Sequence, residues 1–243
     1  MQNEILLALI QAATEFLPVS SSGHLALFGN MFAKVDLFYF TILHMASVLA
    51  ILIYTRKEIY QLITFNKKYK RMWIYIIIGI LPAGLVGLFF NDFIEQAFSS
   101  LLLIGLAYLF TGFMLLITKR FQNTKGKLTK KRSLLIGLAQ ILALFPGISR
   151  SGTTISFGLF SGLKKEEAFK FSFLMAIPLI LGATILEFKN AYFNISILVG
   201  FVVCLIFSLL FLSLLNQILK KNYFWMFGIY CIILGIITLI LAV

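Results

Sequence analysis

The chain has 243 residues, of which 60% are hydrophobic and only 12% charged, and its mean hydropathy is +0.99. A soluble domain usually carries about 25% charged residues, so the composition excludes an ordinary soluble enzyme. The net charge of +12 does not indicate nucleic-acid binding, because the basic residues concentrate in short segments between apolar runs. We therefore predict a polytopic helical membrane protein.

The first predicted element is a broken helix over residues 2–33. Its middle, TEFLPVSSSGHL over 14–25, places a glutamate, three serines and a histidine inside an otherwise apolar segment. Pro18 interrupts the helix, and the segment is too short for two membrane crossings of about 20 residues each. This pattern predicts a re-entrant hairpin, in which two half-helices meet at a polar tip.

Three apolar spans follow, over residues 37–55, 72–91 and 99–118. The connection 56–71 contains six lysine or arginine residues, and the segment 119–132 contains seven. Short basic loops beside membrane spans lie on the cytoplasmic side, so we predict that both segments are cytoplasmic loops. The connection 92–98, which contains Asp92 and Glu95, is then predicted to be external.

The second half of the chain shows the same order of elements. Residues 133–163 form a second broken segment, whose middle reads PGISRSGTT over 146–154. Three more spans follow, over residues 167–188, 195–216 and 223–242. Each broken segment precedes an odd number of spans, so the two halves should have opposite orientations in the membrane.

Matching residues in the two broken segments also indicate a repeat. Gln11 lies twelve residues before Gly23, and Gln140 lies twelve residues before Gly152. We predict an all-α polytopic membrane protein with six transmembrane helices, two re-entrant helical hairpins and an inverted-topology repeat. The predicted single domain covers residues 1–243, with repeats 1–118 and 133–243 and the basic linker 119–132.

The polar residues of the two hairpins are predicted to form one site. Non-helical backbone at membrane depth is tolerated only where it is buried in protein or lines a cavity, so the tips should face each other. The guanidinium group of Arg150 suits phosphate oxygens, and hydroxyls and amides near Ser22, Ser151 and Gly152 can form an anion cradle. The site should therefore bind a phosphorylated substrate.

The acidic residue and the histidine of the first motif predict acid–base or metal chemistry. Glu15 would repel a phosphate, so it should hold a divalent cation or manage a proton. Gln11 lies one helical turn away, and Mg²⁺ or Ca²⁺ would accept oxygen ligands from both side chains. His24 titrates near neutral pH and can serve as a general acid or base. His44 is interpreted as a helix-packing residue, with a supporting role in the site as the alternative.

The motifs QAATEFLPVSSSGHL and PGISRSGTTISFGL closely resemble the signature stretches of the bacterial undecaprenyl-pyrophosphate phosphatase family, which is linked to bacitracin resistance. The resemblance continues through residues 80–90 and 171–183 and covers nearly the whole chain. It implies hydrolysis of the C55 lipid carrier pyrophosphate to its monophosphate for cell-wall synthesis, with a divalent cation. It also implies a plasma-membrane protein whose site opens to the extracytoplasmic side.

The resemblance also assigns roles to individual residues. The predicted catalytic residues are Glu15, Ser21, His24 and Arg150. The predicted substrate-binding residues are Gln11, Ser20, Ser22, Ser149, Ser151, Gly152 and Thr154. The predicted metal ligands are Glu15 and Gln11. The expected partners are the lipid pyrophosphate, membrane lipids and, as a possibility for the assembly, a second copy of the chain; no nucleic acid is expected.

Two mechanisms and one rival function stay open at this point. Ser21 could attack the terminal phosphorus with His24 taking its proton, or a cation-activated water could attack while Ser21 positions the phosphate. A transporter or flippase of a phosphorylated lipid or another anionic substrate could use the same cradle. Glu15 together with His24 favours the enzyme, because a carrier needs no proton-transfer pair.

Overall fold

The computed structural model describes residues 2–32, 37–64, 70–187 and 194–242. Within these ranges the regular secondary structure is helical, apart from one isolated bridge between Gly126 and Leu163. The α-helices are α1 (Gln2–Phe16), α2 (Ser21–Phe32), α3 (Leu37–Tyr54), α4 (Arg56–Ile63), α5 (Lys70–Phe89), α6 (Asn91–Phe98), α7 (Leu101–Ile117), α8 (Lys130–Leu142), α9 (Arg150–Phe160), α10 (Lys165–Glu187), α11 (Ile195–Lys220) and α12 (Phe227–Leu241).

The described residues contain five helices that are long and apolar enough to cross a membrane. They are built on α5, α7, α10, α11 and α12. Helix α3 together with α4 gives a sixth candidate, whose two parts are bent by 80°. The predicted class, an all-helical protein with several membrane-spanning helices, is confirmed. Helices α1–α2 and α8–α9 form the two broken segments.

The predicted loop 56–71 and the predicted external connection 92–98 both contain a helix. Helix α4 occupies the first part of segment 56–71, whose residues 65–69 lie outside the described residues, and α6 covers all of 92–98. Both short helices are amphipathic, and α4 buries Leu62 while α6 buries Ile94. Apolar residues at helical spacing stabilise a helix lying along the protein surface, and the charge pattern of these segments concealed that spacing.

The packing of the helices relates the two halves of the chain. In chain order, α1, α2, α3, α5 and α7 correspond to α8, α9, α10, α11 and α12. Helix α1 packs against α11, and α8 packs against α5, which is the same pair with the halves exchanged. Helix α7 packs against its counterpart α12, and α3 against α10. This pairing is what two equivalent halves require, while their opposite orientation in a membrane stays a prediction.

Glycines bring α7 and α12 into close contact. A Cβ atom at Gly112 would lie 2.8 Å from the carbonyl oxygen of Gly228, and one at Gly235 would lie 3.0 Å from that of Gly105. Each helix carries its pair of glycines seven residues apart, which is about two helical turns. Small residues at a helix–helix interface let helix backbones approach closely in membranes. The α7–α12 pair therefore forms a fixed support behind the broken segments.

Candidate active site

The first tip, residues 17–20, joins α1 to α2. Ser20 adopts the left-handed backbone conformation, with φ of 65°. Its Oγ accepts a hydrogen bond of 3.2 Å from the amide of Gly23, in the first turn of α2. A serine hydroxyl that accepts from the amide three residues later is a typical N-cap, so Ser20 fixes the start of α2.

The second tip, residues 143–149, joins α8 to α9 in the same way. Its turn contains Pro146 and Gly147, and Gly147 has φ of 94°, a conformation that favours glycine. Ser149 is the N-cap of α9, and its Oγ accepts a hydrogen bond of 3.1 Å from the amide of Gly152. The capping serines of the two hairpins are the pair that the sequence repeat matches.

The two tips are in direct contact. The amide of Gly147 donates a hydrogen bond of 3.1 Å to Ser20 Oγ, across the two halves of the chain. A Cβ atom at Gly23 would lie 2.9 Å from the Cα atom of Gly147, and one at Gly152 would lie 3.2 Å from Cβ of Pro18. Glycine at positions 23 and 152 therefore permits the close approach that brings the polar ends of both hairpins together.

An ion pair joins the two hairpins beside this contact. Arg150 Nη2 lies 2.7 Å from Glu15 Oε1, and the side chain of Glu15 is only 8% exposed. The hydroxyl of Ser21 donates a hydrogen bond of 2.7 Å to Glu15 Oε2, and Gln11 Nε2 donates a longer one of 3.3 Å to the same oxygen. Arg150 Nη1 is buried and has no hydrogen-bond partner among the described residues.

A cavity of about 150 Å³ opens between the hairpins. This volume suits a phosphate-bearing head group and not a whole lipid, since pockets for drug-sized ligands occupy about 300–1,000 Å³. The residues that line it are Thr14, Glu15, Ser20, Ser21, Ser22, Ala143, Ile148, Ser149 and Arg150. Six of the predicted site residues are among them, from both halves of the chain.

His24 lies outside the cavity lining. Its Nδ1 lies 2.8 Å from the carbonyl oxygen of Ser20, so this nitrogen carries the proton and donates. In the neutral imidazole Nε2 is then the acceptor for the hydroxyl of Tyr230 at 2.7 Å, and the hydroxyl of Tyr108 lies 2.9 Å from Nδ1. In this arrangement both ring nitrogens are engaged away from the cavity, and the acid–base role of His24 stays a prediction.

Four other predicted residues also lie behind the cavity surface. Gln11 is fully buried beside Glu15, and Gly152 donates its amide to the N-cap of α9. Ser151 is buried with its hydroxyl near that of Ser149. Thr154 donates to the carbonyl of Arg150 and lies 2.6 Å from the hydroxyl of Ser172. Their contacts support α9 and Glu15, whereas their contact with a substrate stays a prediction.

Three residues outside the sequence motifs also contact the site. His44 Nε2 lies 3.8 Å from Glu15 Oε2, and the guanidinium carbon of Arg150 lies 5.9 Å from the ring centre of Phe173. Thr111 hydrogen bonds to the second tip. For His44 the sequence left a supporting role in the site open as the alternative to helix packing, and an ionisable residue in a membrane span indicates function by default. No comparable signal marks Phe173 or Thr111.

The side chains around Glu15 fit a hard divalent cation in part. They offer one carboxylate and Gln11 Oε1, which is buried without a hydrogen-bond partner among the described residues. Oxygen ligands of this kind suit Mg²⁺ or Ca²⁺. No group of three or more histidine, cysteine or acidic residues able to hold a metal occurs within the described ranges. A cation here would therefore need water or substrate oxygens to complete its coordination.

The fold and the cavity together define a class of protein: a multi-pass helical membrane protein whose two broken helical segments enclose a polar cavity lined by an arginine–glutamate ion pair and several serines. Comparison with known proteins makes the class specific. Residues 4–237 match the family described as Bacitracin resistance protein BacA, and by this match over nearly its whole length the chain belongs to that family. The resemblance seen in the two motifs is confirmed.

Curated relatives cover almost the entire chain. A protein of Methanococcus maripaludis strain C7 is 40% identical over a gapped alignment of 245 positions, which covers 97% of this chain and 98% of the relative. A protein of Thermosipho melanesiensis is 40% identical over 246 residues and covers 98% of each chain. One of Elusimicrobium minutum is 39% identical over an alignment of 252 positions, which covers 99% of this chain and 97% of the relative. All three are named undecaprenyl-diphosphatase.

Proposed function

We propose that the protein is an undecaprenyl-diphosphatase, which hydrolyses the terminal phosphate from a C55 isoprenoid diphosphate and releases the lipid monophosphate. The observation that carries this proposal is that Glu15, Ser21 and Arg150 line one cavity. Glu15 lies 2.7 Å from the Ser21 hydroxyl and 2.7 Å from the Arg150 guanidinium group. The names of the full-length relatives support the enzyme over the transporter or flippase considered as the alternative. The monophosphate would be reused in cell-wall synthesis.

The electrostatics of the cavity suit a diphosphate. Helices α2 and α9 both begin at the cavity. The N-terminus of a helix favours an anion because of its free amide groups and the helix dipole. Arg150 Nη1 is a buried donor without a partner among the described residues, so it is available to a phosphate oxygen. A diphosphate would draw Arg150 away from Glu15 and replace one buried ion pair by another.

The contact between Ser21 and Glu15 favours serine as the nucleophile. Ser21 already donates its proton toward Glu15 Oε2, so Glu15 is placed to take that proton as Ser21 Oγ attacks the terminal phosphorus. The Ser–P bond forms, the anhydride P–O bond breaks, and the lipid monophosphate leaves. Water then hydrolyses the phosphoserine to inorganic phosphate. In the alternative, water attacks directly and Ser21 only orients the phosphate.

A divalent cation is part of the proposal. Glu15 and Gln11 would hold Mg²⁺ or Ca²⁺ together with substrate oxygens, and the cation would neutralise charge on the phosphates. With one carboxylate, the free protein should bind the cation weakly.

Phosphate release from a C55 diphosphate by the purified protein tests the function and the cation together. We expect release with Mg²⁺ or Ca²⁺, loss of release with EDTA, and recovery when the cation is restored in excess. A folded protein that releases no phosphate under any of these conditions would contradict the proposed function. Full activity in excess chelator would contradict only the proposed requirement for a divalent cation.

The orientation of the protein in the membrane is also proposed. The basic segments 56–71 and 119–132 would be cytoplasmic, and the cavity would open to the extracytoplasmic side of the plasma membrane. We expect an impermeant thiol reagent added to intact cells to label Asn91→Cys and not Lys125→Cys. Labelling of Lys125→Cys from outside would reverse the proposed orientation. A homodimer is a further proposal, which the mass of the purified protein in detergent tests.

A further inference from the structure

Thr111, in the middle of α7, contacts the second tip although it belongs to neither motif. Its side chain is fully buried. The Thr111 hydroxyl donates a hydrogen bond of 2.9 Å to the carbonyl oxygen of Gly147 and accepts one of 3.3 Å from the amide of Ser149. One hydroxyl therefore binds the backbone at both ends of the turn that precedes Arg150.

The hydroxyl of Thr111 differs in this respect from those of three other threonines in apolar segments. Thr14, Thr55 and Thr238 each donate to the carbonyl four residues earlier in their own chain segment. Such bonds are the usual way in which a helix satisfies a threonine hydroxyl in an apolar environment. Both recorded hydrogen bonds of Thr111 reach another element, so its hydroxyl serves the tip and not its own helix.

Gly147 is held from two sides by hydroxyl groups of the first half of the chain. Its carbonyl oxygen accepts from Thr111, and its amide donates to Ser20 Oγ. An irregular tip has no helical ladder to satisfy these groups, and a buried backbone group without a partner is costly. The two hydroxyls therefore determine where the second tip lies relative to the first.

We propose that Thr111 is a positioning residue of the active site, which holds the second tip so that Ser149 and Arg150 face the cavity. The link is short, because Thr111 binds the amide of Ser149, Ser149 caps α9, and Arg150 is the first residue of that helix. Thr111 itself is absent from the cavity lining. The inference rests on the proposed function only where turnover is measured.

Four variants test this role. Thr111→Val keeps the shape of the side chain and removes the hydroxyl, Thr111→Ala removes it with a smaller side chain, and Thr111→Ser keeps it. Thr238→Val is the matched control, because Thr238 is equally buried on the partner helix α12 and bonds only within that helix. A displaced reacting group can cost about 10²-fold in rate, so we expect Thr111→Val and Thr111→Ala to lose about 10- to 100-fold in kcat/KM. Thr111→Ser and Thr238→Val should stay within about threefold of wild type.

The outcomes separate positioning from packing. If activity follows the hydroxyl group and not the side-chain size, at temperatures where each variant is folded, the positioning role is supported. If Thr111→Val unfolds at a lower temperature but its folded fraction turns over like wild type, Thr111 is merely structural and the proposal is wrong. The serine variant is the conservative rescue, and failure of rescue in a folded protein would also contradict the proposal.

A binding measurement keeps this inference apart from the proposed function. Inorganic pyrophosphate should raise the unfolding temperature of the wild-type protein. The Thr111→Val protein should need at least about ten times more pyrophosphate to show the same rise in unfolding temperature. An inactive wild-type protein would contradict the phosphatase proposal while this comparison still tests Thr111. Equal stabilisation of Thr111→Val and wild type by pyrophosphate would overturn the positioning role.

Discussion

Replacing Arg150 with alanine is expected to lower kcat/KM by about 10²–10³-fold, because it removes the guanidinium donors that face the phosphate. Arg150→Lys keeps the charge but not the two-pronged donor group, so it should remain badly impaired. Exposed Arg56→Ala, at the start of α4, is a control of the same residue type outside the site. Initial rates of phosphate release measured over a range of substrate concentrations give the comparison.

The stability of the Arg150 variants must be measured beside their activity. Removing Arg150 leaves the carboxylate of Glu15, only 8% exposed, without its cationic partner. Breaking a buried ion pair on one side typically costs about 3–5 kcal/mol of folding stability. Rates should therefore be referred to folded protein, judged by thermal unfolding in detergent. A folded Arg150→Ala protein that hydrolyses at nearly the wild-type rate would show that the second tip takes no part in turnover.

Ser21→Ala is expected to lower kcat/KM by about 10³-fold or more, because it removes the proposed nucleophile that bonds to Glu15. Ser22→Ala is the matched control, since Ser22 also lines the cavity but its hydroxyl lies 3.2 Å from that of Ser20, whereas the Ser21 hydroxyl bonds to Glu15. Ser22→Ala should lose clearly less activity.

The phosphoenzyme distinguishes the two mechanisms for Ser21. Wild-type protein quenched in acid after mixing with a substrate labelled in its terminal phosphate should retain label on Ser21, and Ser21→Ala should retain none. If the wild-type protein retains no label in a quench faster than one turnover, and Ser21→Ala keeps more than about a tenth of the rate, water is the nucleophile.

Most of the architecture could be predicted from the sequence, because apolar runs of membrane length and proline-containing breaks are local signals. The six predicted spans correspond to α3, α5, α7, α10, α11 and α12. The contact between Glu15 and Arg150, 135 residues apart, follows from the repeat argument, since equivalent hairpins in an inverted pair meet near the midplane. Ser20 and Ser149 occupy matching positions in the repeat, but only the structure reveals that each caps a helix.

The remaining details of the site depend on the direction in which each side chain points. A single sequence does not determine those directions. The motif contains His24, but the ring turns toward Tyr108 and Tyr230 on the α7–α12 pair, which only the packing of distant helices reveals. Thr111 belongs to an apolar helix in which a threonine is unremarkable by composition. The sequence does not predict the helices within segments 56–71 and 92–98, because the charged residues there conceal a helical apolar stripe.

The central claim is that the two hairpins act on one diphosphate, and a double-mutant cycle tests it most directly. The cycle compares kcat/KM of Glu15→Gln, Arg150→Ala and the double variant, each referred to folded protein. Groups that act as a unit are strongly non-additive, so the double variant should be scarcely slower than the slower single variant. Independent sites would instead multiply their losses, and a double variant slowed by the full product of the two single effects would contradict one shared site.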